Sequence, residues 1–417
     1  MSMPSTVISK VRVLCPESGT DVVTSLRYEG RRITHIGDEI PTASVTIDGS
    51  GKWLMPGIID LCARLREPGS THKASIASEA QAALAAGITT LVMPPDTRPV
   101  ADNAALVDRI HTMSAKAGAA QVRVLGALTT GLHGEALGEL AALKAAGVVG
   151  VSNGLQPMAN LLVARRALEY AHGLGLTVHV VALDAALANG GCAHEGSMAT
   201  KLGLAAIPVA AEVAAIRGWI SLVEDTGAAI HLGRLSSARA LELVVSAKAR
   251  GLPVTADVAA HQLFLTDAAI EGFNAQAHVI PPLRSEADRQ ALRRGVASGA
   301  IDAICSDHQP HEADAKINPF PLTEPGISAL ETLLPLALKL VHEGLLSPLA
   351  MAACLTRAPA GILRLPAPRV AVGTEGSFIL LDPAHVWQLR PETMQSCGRN
   401  TPFAGTTFAG GCVQVFC

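Results

Sequence analysis

Met55-Pro56-Gly57-Ile58-Ile59-Asp60-Leu61-Cys62-Ala63-Arg64-Leu65-Arg66-Glu67-Pro68-Gly69 is the stretch on which the reading of this chain turns. Its apolar start, with a Pro-Gly turn, reads as the first strand of a barrel. Alternate residues of a strand point to the same side, so Cys62 and Arg64 share a face. Two histidines at such positions can hold one metal ion between them. An arginine stays protonated and offers no lone pair, so this pair does not.

Working outward, apolar strand-like runs recur at 89–93, 122–127, 148–152, 178–183, 229–232, 254–258 and 303–306. Helical runs are expected at 75–86, 159–173, 236–249 and 286–298, and the Ala-rich stretches 80–86 and 135–146 read as packing faces of an outer helical layer. Repeated strand–helix alternation over residues 56–366 predicts an α/β fold, a (β/α)8 TIM barrel. The flanks, 1–55 and 367–417, read as short strands punctuated by glycines such as Gly373, Gly376 and Gly405. They are expected to form one small discontinuous β-sandwich.

The chain has 417 residues, 49% hydrophobic and only 3% aromatic, so a large core must be mostly Ala, Val, Leu and Ile. Apolar runs stop well short of the ~20 residues that a membrane span needs. The formal net charge of -3 gives no electrostatic case for nucleic acid. The 8 cysteines are scattered with no CxxC pair, which predicts free thiols in a reducing compartment. With no basic region and apolar core at the N-terminus, the expectation is a cytoplasmic protein without a membrane partner.

Further motifs follow in order: Arg66-Glu67-Pro68-Gly69, Glu195-Gly196, Leu202-Gly203-Leu204, Pro281-Pro282-Leu283-Arg284, Ser306-Asp307-His308-Gln309-Pro310-His311, Pro325-Gly326-Ile327, Thr356-Arg357-Ala358-Pro359-Ala360 and Asn400-Thr401-Pro402-Phe403. In this order and spacing the chain resembles the dihydroorotases of the amidohydrolase superfamily, of the type that pairs with aspartate transcarbamoylase.

The resemblance implies a site that this sequence has lost. The family's metal-binding His pair falls on Cys62 and Arg64. Its bridging Asp falls on the Ser152-Asn153-Gly154-Leu155 segment. Two further metal-binding His fall on Val181 and Arg234. Asp307, a metal ligand and general acid/base in active members, is kept. Among substrate contacts, Arg66 and His311 are kept, an Asn is replaced by Asp96, and another by Ile280. Asp96 would repel an anion that Asn would bind. Ring opening of a cyclic amide near neutral pH needs a metal-activated water and a polarised carbonyl, so no metal, cofactor or catalytic residue is expected.

The remaining charges have a predictable fate. Asp307 would be a buried unpaired carboxylate, so Arg64 and Arg234 are expected to pair with it, and also with Asp96. Cys62 reads as a buried thiol filling space. His179 reads as a wall residue one layer below Val181, His231 as facing away, and His261, His308 and His311 as structural. The resemblance then implies an inactive dihydroorotase-like subunit. It would form a homodimer within a larger assembly and scaffold the aspartate transcarbamoylase catalytic chain. The alternatives are a cyclic amidohydrolase with an altered site that uses Asp307 and Cys62, and a small-anion sensor that uses Arg64, Arg66 and Arg234.

Overall fold

The computed structural model describes residues 5–37 and 39–417. The chain opens with strands β1 (Ser5–Cys15), β2 (Thr20–Glu29), β3 (Arg32–Ile36), β4 (Val45–Asp48) and β5 (Trp53–Pro56). Barrel strands β6 (Ile58–Asp60), β7 (Ile88–Met93), β8 (Gln121–Ala127), β9 (Gly150–Ser152) and β10 (Val178–Val180) follow. A short parallel pair, β11 (Ala193–His194) and β12 (Ala206–Ile207), lies outside the barrel. The barrel resumes with β13 (Ile230–Leu232), β14 (Val254–Ala259) and β15 (Ala303–Cys305), and the chain ends on β16 (Phe378–Gln388) and β17 (Thr407–Phe416).

Eight parallel strands run β6-β7-β8-β9-β10-β13-β14-β15 around the barrel. The ring closes just beyond the strand ends, where Ala63 and His308 form a parallel bridge. There the Arg64 N–H donates to the His308 carbonyl at 2.9 Å, and the His308 N–H donates to the Cys62 carbonyl at 3.2 Å. The stretch quoted at the outset is therefore the closing seam. Helices start where side chains can cap them: Ser75 and Ser285 form capping boxes, and Asn160 and Ser237 accept from backbone N–H groups of the first turn.

Three expectations need correction. The stretch 135–146 is helical only over Leu140–Ala145. The residues before it return to the barrel through a Thr129–Leu137 bridge, and a Cβ at Gly138 would stand 2.6 Å from the Ala127 carbonyl. The strand expected to reach Leu183 stops at Val180, and Asp184 caps a short helix instead. The flanking strands form one hydrogen-bonded sheet of seven strands, not two stacked sheets. That sheet curls until Tyr28 of β2 meets Phe378 and Phe416 of β16 and β17 edge-on, at 6.2 and 5.7 Å between ring centroids. It encloses its own core of Ile8, Val11, Leu26, Leu54 and Leu380.

The segment between β16 and β17 belongs with the barrel, since Met394 and Phe403 join the barrel's main core. Its anchor is Glu79, fully buried, which accepts from His308 Nε2 at 3.0 Å, Ser396 Oγ at 2.6 Å and the Cys397 N–H at 3.0 Å. Burial alone would raise its pKa. The hydrogen bond and attraction from His308, with those of Ser396 and Cys397, outweigh burial and bring it down to about 2.

A carboxyl held below its ordinary value stabilises the fold above that value and loses its contribution as pH falls. Unfolding free energy measured from pH 6 to 2 should drop by about 2–3 kcal/mol as Glu79 protonates between about 4.5 and 2. The Glu79→Gln variant should be less stable at pH 7 and should show a flatter profile over that range.

Candidate functional site

Arg64, Arg234 and Asp307 converge at the barrel seam, on segments that have just left β6, β13 and β15. All three are less than 8% exposed. Arg234 Nη1 donates to Asp307 Oδ1 at 2.8 Å, and Arg64 Nη1 lies 3.5 Å from the same oxygen. Arg64 Nε donates to Asp96 Oδ2 at 2.8 Å. Gln309 Nε2 reaches Asp307 Oδ2 at 3.3 Å. The expected pairing of both arginines with Asp307, and of Arg64 with Asp96, is thus present. Burial works to raise the Asp307 pKa, but the Arg234 and Arg64 guanidiniums overcome it and hold the carboxyl below its usual range.

Cys62 lies in the same cluster, its Sγ 3.5 Å from both Asp307 Oδ1 and Arg234 Nη1. Burial dominates its chemistry, pushing the thiol up to about 12 despite the nearby arginines. It remains a thiol at neutral pH and is a poor nucleophile. Asp60, fully buried beneath, accepts from the Ser306 N–H at 2.8 Å and Ser306 Oγ at 2.5 Å and so fixes the loop that carries Asp307. Backbone strain gathers here too: Arg66, Arg234 and Asp307 adopt φ of 65°, 60° and 47°. Non-glycine residues at such angles concentrate at functional sites.

The substrate-contact positions divide. His311 stays close, with Nε2 2.9 Å from Arg66 Nη2 and Nδ1 3.0 Å from Lys73 Nζ. Burial, then Arg66 and Lys73, push its pKa down to about 2, so the ring is neutral. Ile280 is not brought to the cluster and packs against Ala188, Ile207 and Ala211. Asn153 turns into its own loop, accepting from Thr129 Oγ1 at 2.6 Å and donating to the Gln156 carbonyl at 3.0 Å. Gly154 sits beside Asp96 at φ +61°. Val181 is half-buried and lines a cavity of about 30 Å³ with Cys62, His179 and Arg234.

One expectation is reversed. His231 faces the barrel interior, its ring 5.1 Å from that of His179. The two are register partners on neighbouring strands, and β13 ends at Leu232, so strand alternation does not carry on to Arg234. His231 Nε2 pairs with Asp257 Oδ2 at 2.9 Å, and Asp257 Oδ1 accepts the Arg234 N–H at 2.6 Å. Asp257 and Lys73 escaped the sequence reading, because inter-strand register and the loop contacts of Lys73 leave no local sequence signal. His261 and His308 are both buried, and His308 holds Glu79.

The metal ion that active members of the resembled family hold does not fit this donor set. Two guanidiniums stand within 3.5 Å of the retained Asp307. Among the described residues no three His, Cys, Asp or Glu side chains form a group able to hold a metal ion. None of the described helices is long and apolar enough to cross a membrane.

Residues 51–240 match the family model described as Dihydro-orotase-like. A "Dihydroorotase-like protein" of Pseudomonas aeruginosa is 48% identical over 97% of this chain and 96% of its own length. A protein of the same description from Pseudomonas putida is 46% identical over 96% and 94%. A "Dihydroorotase" of Syntrophotalea carbinolica is 41% identical over 97% and 95%. Among solved structures, the L-hydantoinase (dihydropyrimidinase) of Arthrobacter aurescens superposes with a TM-score of 0.87 at 21% identity, covering 99% of this chain and 94% of that one. This last likeness shows the shared barrel fold.

Removing one partner of a buried ion pair leaves a charge without compensation, at a cost of about 3–5 kcal/mol. Arg234→Met should therefore destabilise the protein by roughly 3 kcal/mol in equilibrium denaturation. Adding Asp307→Asn should restore part of that loss, so the double variant is more stable than the two single effects predict.

Proposed function

Within the dihydroorotase-like family, to which this chain belongs, we propose a catalytically inactive subunit. Its role is to assemble with the aspartate transcarbamoylase catalytic chain and support that enzyme's activity in pyrimidine biosynthesis. The observation that carries the loss of catalysis is Asp307 locked by Arg234 and Arg64 where active members need a metal. A carboxylate so paired is neither a free base nor a free ligand. The thiol beside it is held in its neutral form. The partner comes from the family resemblance. The two relatives of 46–48% identity are named "Dihydroorotase-like protein", which speaks to the family and not to a partner. Relatives at 38–41% identity are named "Dihydroorotase", and those names support the rival reading of a working enzyme.

A second reading, a small-anion sensor, has one observation in its favour. Arg64 Nη2 is buried without a hydrogen-bond partner. Arg64 borders a cavity of about 140 Å³ that Arg66, Lys73 and Arg98 also line. Arg234 does not belong to that cavity, because Asp307 holds it.

Size-exclusion chromatography with the cognate transcarbamoylase catalytic chain should give one large complex that contains both chains and all the transcarbamoylase activity. Separate elution with unchanged activity would remove the subunit reading. The purified chain should bind no stoichiometric zinc and should not turn over dihydroorotate with zinc added; turnover would establish the enzyme. A rise in melting temperature with dihydroorotate, without turnover, would favour the sensor.

A further inference from the structure

The barrel's C-terminal mouth carries a projection that the ion-pair cluster does not account for. Ile317 and Leu322 are 75% and 71% exposed, more than any other large apolar side chain among the described residues. Phe273, 50% exposed, leaves the adjacent turn at φ 60°, a strained angle for an aromatic residue. Ile317 and Leu322 flank Phe320 in sequence, Phe273 lies between Ile270 and Ala277, and Phe320, Ile270 and Ala277 belong to one satellite core.

The exposure is not a matter of slack chain. Phe320 is buried and stacks on His278 at 4.7 Å between ring centroids. His278 Nδ1 in turn meets Thr323 Oγ1 at 2.8 Å. Lys73, buried, holds both ends of the segment through Glu312 at 3.1 Å and Glu324 at 2.7 Å. Lys316, also buried, donates to the Glu324 carbonyl at 2.6 Å. Two buried cations and a buried aromatic thus fix a ridge whose outer face is apolar. Large apolar side chains held rigidly in water mark an interaction surface.

The charge around the ridge selects the partner. Glu271, Glu312, Asp314 and Glu324 flank it; of the basic groups beside them Lys73 and Lys316 are buried, whereas Lys201 beside Glu271 and His72 beside Glu312 are exposed. The matching surface is an apolar cleft rimmed by lysine or arginine.

We propose that this ridge, Phe273 with Ile317 and Leu322, is the docking surface for the partner chain, and that the partner receives it in a basic-rimmed apolar cleft. The proposal rests on the subunit reading above. The test titrates the full chain against the cognate transcarbamoylase catalytic chain, with affinity read by light scattering and ultracentrifugation. Ile317→Asp/Leu322→Asp should weaken the complex by about thirtyfold or more, and the milder Ile317→Ser/Leu322→Ser by about tenfold. Melting temperatures should stay at the wild-type value, since neither side chain is buried. Asp314→Lys should weaken binding further at low salt than at high salt. Val386→Asp, on the terminal sheet, should leave binding unchanged.

Wild-type affinity in the folded Ile317/Leu322 variants would overturn the docking surface and leave the subunit reading standing. Failure of the wild-type chain to bind would overturn both. Loss of self-association in the variants, with the complex intact, would assign the ridge to a second copy and also overturn the proposal.

Discussion

A carboxylate excluded from water must be compensated, and the Asp307 carboxylate is compensated by two guanidiniums. This constraint organises the mouth of the barrel. Asp307 sits one residue from the Ala63–His308 bridge that closes the ring, and both arginines lie on segments emerging from barrel strands. Charge compensation and barrel closure therefore occur at the same place. The Arg234 pair is short and the Arg64 contact longer, because Arg64 is shared with Asp96. The arrangement leaves Asp307 ionised and occupied.

A second set of polar groups, one layer out, carries the loops. Asp60 ties down the loop of Asp307 through Ser306. Glu79 binds His308 and the segment that returns from the terminal sheet. Asn400 donates to the carbonyls of Gln309 and Gly326, joining three loops at one side chain. Each of these groups fills backbone hydrogen bonds that would otherwise be buried unmet, at a cost of about 1–3 kcal/mol apiece. Residues at positions that the resemblance assigns to an active site are thus necessary to the fold in their own right.

The barrel was legible because its signal is local. Apolar runs of strand length alternate with helix-length Ala-rich runs, and each leaves its period in the sequence. The ion pairs were legible for a different reason. A buried Asp has to find a cation, and Arg64 and Arg234 were the cations at hand. What escaped depended on geometry between segments. His231 looked outward when counted along its own strand from Arg234, but the strand ends before Arg234 and its register with β10 sets it beside His179. The terminal strands looked like a sandwich because curl in a single sheet leaves no mark in composition. The stretch 135–146 had helical composition throughout, yet the bridge between Thr129 and Leu137 claims its first part.

The charged groups at the seam depend on one another. Arg64 beside a divalent cation would add repulsion at short range in a poorly solvated space. Without an arginine, Asp307 would be stranded as a buried anion, several kcal/mol uphill. Either sign of charge alone would be uncompensated, whereas the observed set is balanced: two arginines, two carboxylates and an un-ionised thiol. A barrel mouth in this state is held together by its own side chains and needs no ion to keep its loops in place. The fixed loops around it, including the segment pinned by Lys73 and Lys316, can then keep a constant shape without one.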